Sequence, residues 1–198
     1  MLRGIIRNFD TFICRLNGVH TFSDDIDCIL RIQLTEAPHD VSFLEFKVNQ
    51  GDPILLYHLW NERLPELPSE GSNLAWSTRL LRLFKKSLHL VAQYIQEAPN
   101  LPDIQALAGV TVLLPIGRGE GSTNLMERLG FTTMMYQSPL GRFGEFWENF
   151  YSWGLMWTYN PISLRGRSLL KLERKECWMN IYDFTKRYGY NKRDLVSH

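Results

Sequence analysis

Ile54-Leu55-Leu56-Tyr57-His58-Leu59-Trp60-Asn61-Glu62-Arg63-Leu64-Pro65 is the stretch on which the reading of this chain turns. Residues 54 to 60 are apolar on both sides of a period-two pattern, which suits a strand in the middle of a sheet covered on both faces. The strand then runs into His, Trp, Asn, Glu and Arg within six residues and stops at a proline. A buried strand whose end carries that many polar and aromatic groups is where a fold of this kind places a ligand.

Working outward, Asn49-Gln50-Gly51-Asp52-Pro53 reads as a tight turn into this strand. Val41 to Val48 before it reads as one strand, and Ala37-Pro38-His39-Asp40 as a turn. Cys28 to Thr35 alternates, with Cys28, Leu30, Ile32 and Leu34 on one side and Arg31, Gln33 and Thr35 on the other. That is a half-buried strand. Residues 2 to 16 carry Leu2, Ile5, Ile6, Phe9, Phe12, Ile13 and Leu16 at helical spacing, and Gly18 stops them.

On the other side, Pro65 to Gly71 forms a loop, and Ser72 or Asn73 caps the longest helix, Leu74 to about Glu97. Leu80, Phe84, Leu88, Val91 and Ile95 make its apolar stripe, opposite Arg79, Arg82, Lys86 and Gln93, and Pro99 and Pro102 end it. Gly109 to Pro115 is a short buried strand, Gly117 to Gly121 a glycine-rich loop, Ser122 to Leu129 a short helix, and Phe131 to Gln137 a strand. Phe143 to Tyr159 holds eight aromatics; Ser168 to Trp178 reads as a strand, and Asn180 caps a last helix that stops at Gly189. The expected class is α/β (α+β): a mixed central sheet with helices on both faces. It forms one domain over 1–198, with an N-terminal helix in 1–18, a core over 20–190 and a loose tail at 190–198.

Composition narrows the function classes. The chain has 198 residues, 44% apolar and 22% charged, at net charge +1. That balance gives no electrostatic reason to expect nucleic acid as a partner. Cys14, Cys28 and Cys177 are too few and too scattered for a disulfide framework or a zinc site, so free thiols and a reducing, cytoplasmic setting are expected. His20, His39, His58, His89 and His198 show no metal-ligand spacing, so no metal is expected. No run of about 18 apolar residues spans a bilayer. Charges at Arg3, Arg7, Asp10 and Arg15 break up any signal-peptide core.

Two resemblances follow from the motifs. The order of a hairpin, a central strand, a long helix, a strand and a helix closing on Glu127-Arg128-Leu129-Gly130-Phe131 resembles the core of the GNAT superfamily of N-acyltransferases. More specifically, Leu56 to Pro65 resembles the "LH-[IL]-W-N-E-x-LP" strand of the YkoP-like domain family, small bacterial domains sometimes attached to polysaccharide deacetylases. Trp76, Leu129-Gly130-Phe131 and Trp178-Met179 continue the likeness over residues 20 to 190. It implies an acyl-CoA N-acyltransferase-like sheet and a site position rather than a particular chemistry. If the chain is an enzyme, the resemblance implies an acyltransferase-like transferase.

That superfamily seats the pyrophosphate of coenzyme A on glycine-rich backbone at the long helix's start. Here Leu64 to Ser72 offers one glycine, two prolines and the carboxylates Glu66 and Glu70. A carboxylate about 5 Å from a phosphate costs on the order of 1 kcal/mol, so acetyl-CoA is disfavoured and no cofactor is expected. Gly117-Arg118-Gly119-Glu120-Gly121 lacks a full phosphate motif and reads first as a flexible turn.

His58 is either a hydrogen-bonded core residue or, with Glu62, a catalytic candidate as general base. Trp60, Asn61 and Arg63 are candidate ligand contacts, and Asn61 and Glu62 equally suit loop backbone groups. Trp147 and Trp153 of the aromatic stretch are candidates for a pocket wall. The expected role is a small-ligand-binding or acyltransferase-related domain. The alternative is a non-enzymatic module that binds a protein partner through residues 143–159.

Overall fold

The computed structural model describes residues 2–43, 46–112, 121–136, 138, 141–159, 161–164 and 174–190. Its centre is a mixed sheet built around β4, Pro53–Leu59, the strand of the opening motif. β1, Leu30–Glu36, pairs antiparallel with β4 in the register Leu30↔Leu59 to Glu36↔Pro53. β5, Ala106–Val112, lies parallel on the other side of β4. A parallel neighbour requires a crossover, and α2, Leu74–Glu97, supplies it. β7, Arg174–Asn180, and β6, Thr132–Met135, complete the order β1-β4-β5-β7-β6, both in antiparallel ladders.

One face of the sheet, with Leu30, Ile32, Leu55, Tyr57, Leu107, Cys177 and Met179, packs on Leu88, Val91 and Ala92 of α2. Leu129 and Phe131, which follow α3, Gly121–Arg128, and Phe184 of α5, Ile181–Tyr188, close the same core. Gly130 takes a left-handed φ of 93°, the helix stop that the Leu-Gly-Phe segment needs. On the opposite face, Ile54, Ala106, Ala108 and Trp178 pack under Val41 and Val48. Beyond them lie α1, Leu2–Leu16, and α4, Gly141–Tyr159, which touch each other. Helices thus stand on both faces, as the sequence pattern predicts.

Gly109 of β5 is required by packing. A Cβ there would stand 2.4 Å from Cζ of Tyr57, whose ring lies flat over the strand. Asn73 proves to be the cap of α2, its side chain accepting from the Trp76 N–H at 2.9 Å. Asn180 caps α5 in the same way through Tyr182.

Several expectations need correction. Residues 41–48 are not one strand but a small hairpin, β2 Val41–Ser42 and β3 Lys47–Val48, closed by the Phe43 N–H donating to the Phe46 carbonyl at 2.9 Å. The turn at 49–53 therefore delivers the chain into β4 without pairing β3 to it; β1 takes that edge. The buried face of α2 is Trp76, Leu83, Ser87, Leu88, Val91 and Ala92, rotated from the expected stripe, so Leu80, Phe84 and Ile95 are its half-buried flank. β5 starts three residues earlier than Gly109: Ala106 and Ala108 are small enough to lie beneath Trp178 and the hairpin, while Leu107 fills the core on the other face. Residues 117–120, 168–173 and 191–198 lie outside the described residues, and Gly121 already belongs to α3. All three cysteines are free, Cys28 and Cys177 buried and Cys14 half-buried.

Candidate functional site

The polar cluster forms where β4 leaves the sheet. Trp60 keeps one last bond, its N–H to the Ile29 carbonyl at 2.8 Å, and Asn61–Arg63 then winds into a single 3-10 turn. Glu62 is the hub. Its Oε2 accepts from Trp60 Nε1 at 2.6 Å and from Arg31 at 3.1 Å, and its Oε1 accepts from the Tyr159 hydroxyl at 3.2 Å. Arg63 donates to the carbonyls of Asp25 and Cys28 at 2.7 and 3.2 Å. Both guanidiniums lie against the Trp60 ring, Arg63 at 3.7 Å and Arg31 at 4.4 Å from its centre. A charge over an indole is worth about 0.5–1 kcal/mol where water reaches it. Asn61 is half-buried and makes no side-chain hydrogen bond among the described residues.

His58 points to the face that carries α1 and α4. Its Nε2 lies 2.9 Å from Gln33 Oε1, so that nitrogen carries the proton and donates. Burial, and then the Arg31 guanidinium beside it, push the ring down to about pKa 4. It is neutral at pH 7, a weak base, and Nδ1 is the acceptor left over. His39 is its opposite. Nδ1 sits 3.1 Å from the Asp40 carbonyl and Nε2 sits 3.2 Å from the Glu176 carboxylate, so both nitrogens act as donors. Burial disfavours the charged ring, but those two acceptors outweigh it and raise the pKa. Glu176, itself buried, takes a second bond from Trp178 Nε1 at 2.8 Å.

Register joins these groups. Arg31 faces His58 across β1 and β4, Leu56 faces Ala108 across β4 and β5, and Val110 faces Glu176 across β5 and β7. With period two along each strand, Arg31, His58, Val110 and Glu176 occupy one row on one face. Val110 is 46% exposed although its strand is central. In addition, β4 and β5 are seven residues long but pair only from Ile54↔Ala106 to Leu56↔Ala108. β4 then stays with β1 to Leu59, while β5 stays with β7 to Val112. The two parallel strands diverge toward their C-terminal ends, with His58 on one lip and Val110 on the other.

The profile of the YkoP domain matches residues 1–188. The chain belongs to the YkoP domain family. Comparison with curated proteins and with solved structures gives no significant match.

In this YkoP domain the sequence candidates separate into groups. Trp60, Glu62 and Arg63 are one interlocked cluster, with Asn61 in the same turn, and His58 stands one step back on the strand. Tyr159 ties the C-terminal end of α4 to that cluster through Glu62. Trp147 lies twelve residues earlier, about 18 Å along the helix, and its ring meets Phe146 and Phe150 edge-on. Trp153 is half-buried about 9 Å from Tyr159 by the same rise.

Gln33, Arg31, His39, Val110 and Glu176 escape a linear reading. Arg31 and Gln33 look like the wet side of an alternating strand, and only the pairing with β4 turns that side toward His58. No group of histidine, cysteine and carboxylate able to hold a metal occurs among the described residues, and no helix there is long and apolar enough to cross a membrane.

Proposed function

We propose that this YkoP domain is a small-ligand-binding, acyltransferase-related domain whose site is the cleft between the diverging ends of β4 and β5. The observation that carries the reading is the early end of the β4–β5 ladder. Parallel strands that part at their carboxyl ends leave a crevice there, the usual seat of ligands in open α/β sheets. The succession of β4, the long helix α2, β5 and a helix closing on Leu129-Gly130-Phe131 keeps the order of elements on which the acyltransferase resemblance rests. His58 and Glu176 supply polar groups on either side of the half-exposed Val110, and the Glu62–Trp60–Arg63 cluster closes the upper end.

Binding suits this chemistry better than proton abstraction. A ring that ionises only near pH 4 is a poor general base at neutral pH. The start of α2 is likewise a weak anion seat. Asn73 already occupies one of its N–H groups, and Glu66 and Glu70 stand exposed in the loop before it. The expected ligand is therefore uncharged or cationic at its tip rather than a nucleotide diphosphate.

Native mass spectrometry of the purified chain, beside Val110→Trp, tests the reading. The variant fills the cleft from an exposed position and should keep its melting temperature while losing any co-purified small molecule. Retention of that molecule by Val110→Trp would defeat the cleft. Calorimetry giving a low-micromolar Kd for acetyl-CoA would instead make the domain a working transferase.

A further inference from the structure

The helix pair on the second face leaves a large apolar surface in water. On α1, Asp10 is buried and bonded by the Tyr151 hydroxyl, and Arg31 donates to Cys14 at 3.6 Å, so these residues mark the inward side. Phe9, Phe12 and Leu16 lie about 100–160° around the helix from Asp10. The apolar stripe of α1 is thus only partly used in packing on its own chain. Phe146, Trp147 and Phe150 continue the surface on α4, and Phe9 bridges the two helices by an edge-on contact with Tyr151 at 6.1 Å. These six side chains are between 43% and 65% exposed. At about 100 Å² each, they present roughly 600 Å², the upper end of what a monomer shows in one patch.

We propose that this α1–α4 face is a two-fold interface between two copies of the chain. Three features select that occupant. First, the area is close to the ~800 Å² per partner of a standard interface, so a modest polar rim completes it. Second, five of the six residues are aromatic, and depletion of charge with enrichment of Phe and Trp marks the core of homodimer interfaces. Among the described residues of α1 and α4 that are exposed, Arg15 alone is charged. Third, a helix that rests on an anionic lipid surface flanks its apolar face with Lys and Arg. Here the described, exposed residues of the two helices carry a single cation, Arg15. The inference is independent of the β4–β5 cleft.

Sedimentation equilibrium of the full chain, read with thermal melting, tests it. The wild type should show a concentration-dependent monomer–dimer equilibrium at micromolar concentrations. Phe12→Asp and Phe150→Asp alter exposed positions on different helices and should each melt as the wild type does. Each change occurs twice in a two-fold interface, so each should weaken association about 100-fold or more. A wild type that stays monomeric up to millimolar concentration overturns the proposal, as does a dimer indifferent to both substitutions. So does a monomer that co-sediments with phosphatidylglycerol–phosphatidylcholine vesicles and loses that binding in the same variants, since the face would then be a lipid contact.

Discussion

Acidification should destabilise this protein through His58, and the size follows from where the ring sits. In the unfolded chain a histidine titrates near pKa 6.5, while in the fold burial and the Arg31 guanidinium hold His58 at about 4. Above pH 6.5 both states carry a neutral ring and it contributes no pH dependence. As pH falls from 6.5 towards 4 the unfolded state takes up a proton that the folded state refuses, so stability drops. The integrated loss is about 3 kcal/mol, from 1.36 kcal/mol per pH unit over the difference. His39 works with the other sign. Its raised pKa adds stability below pH 6.5 that disappears as pH climbs through the folded value, so its window lies above that of His58. Urea titrations at steps from pH 8 to pH 4 should therefore show a fall of this order in the wild type, centred between pH 6.5 and 4. His58→Gln keeps an amide beside Gln33 and should flatten that segment of the curve. A slope unchanged in His58→Gln, or a His58 resonance titrating near pH 6.5, would refute the argument.

Two further outcomes follow from packing. Gly109→Ala puts a methyl 2.4 Å from Cζ of a Tyr57 ring that Phe84 and Phe131 hold edge-on, so it should cost about 3 kcal/mol in urea unfolding. Tyr57→Leu in the same chain should recover part of that, and strict additivity of the two changes would contradict the contact. Arg63→Ala strips the donors from the Asp25 and Cys28 carbonyls and should lower stability by about 1–3 kcal/mol. Asn61→Ala in the same turn should stay within about 0.5 kcal/mol; equal effects of the two changes would assign Arg63 no structural part.

The comparison of these two residues shows where linear reading stops. Residues 61 to 63 are polar neighbours in sequence and look alike as ligand contacts. The fold gives Arg63 two carbonyls from a segment some 35 residues away, gives Glu62 three donors, from β1, from Trp60 just past β4 and from α4, and leaves Asn61 without a side-chain bond among the described residues. Partners at that distance along the chain leave no periodic trace. The hairpin at 41–48 was likewise hidden, because a two-residue strand is too short to show alternation and the Phe43–Phe46 closure looks like continued strand.

What the chain alone determined were the features that rest on local physics. Helical spacing placed α1 and α2, the Ser72-Asn73 pair marked the start of α2 and Asn180 that of α5, and Gly130 marked the end of α3, because each is decided within a turn or two of backbone. The apolar run at 54–59 marked a buried strand for the same reason. Tertiary structure alone decided which strands lie beside β4 and how far they stay with it. That choice depends on Gly109 yielding to the Tyr57 ring and on β7 competing for β5, contacts between residues dozens of positions apart. The same choice brings Arg31, His58, Val110 and Glu176 into one row. It also leaves the aromatic sides of α1 and α4 facing outward, since a helix declares its apolar stripe in sequence but not what will cover it.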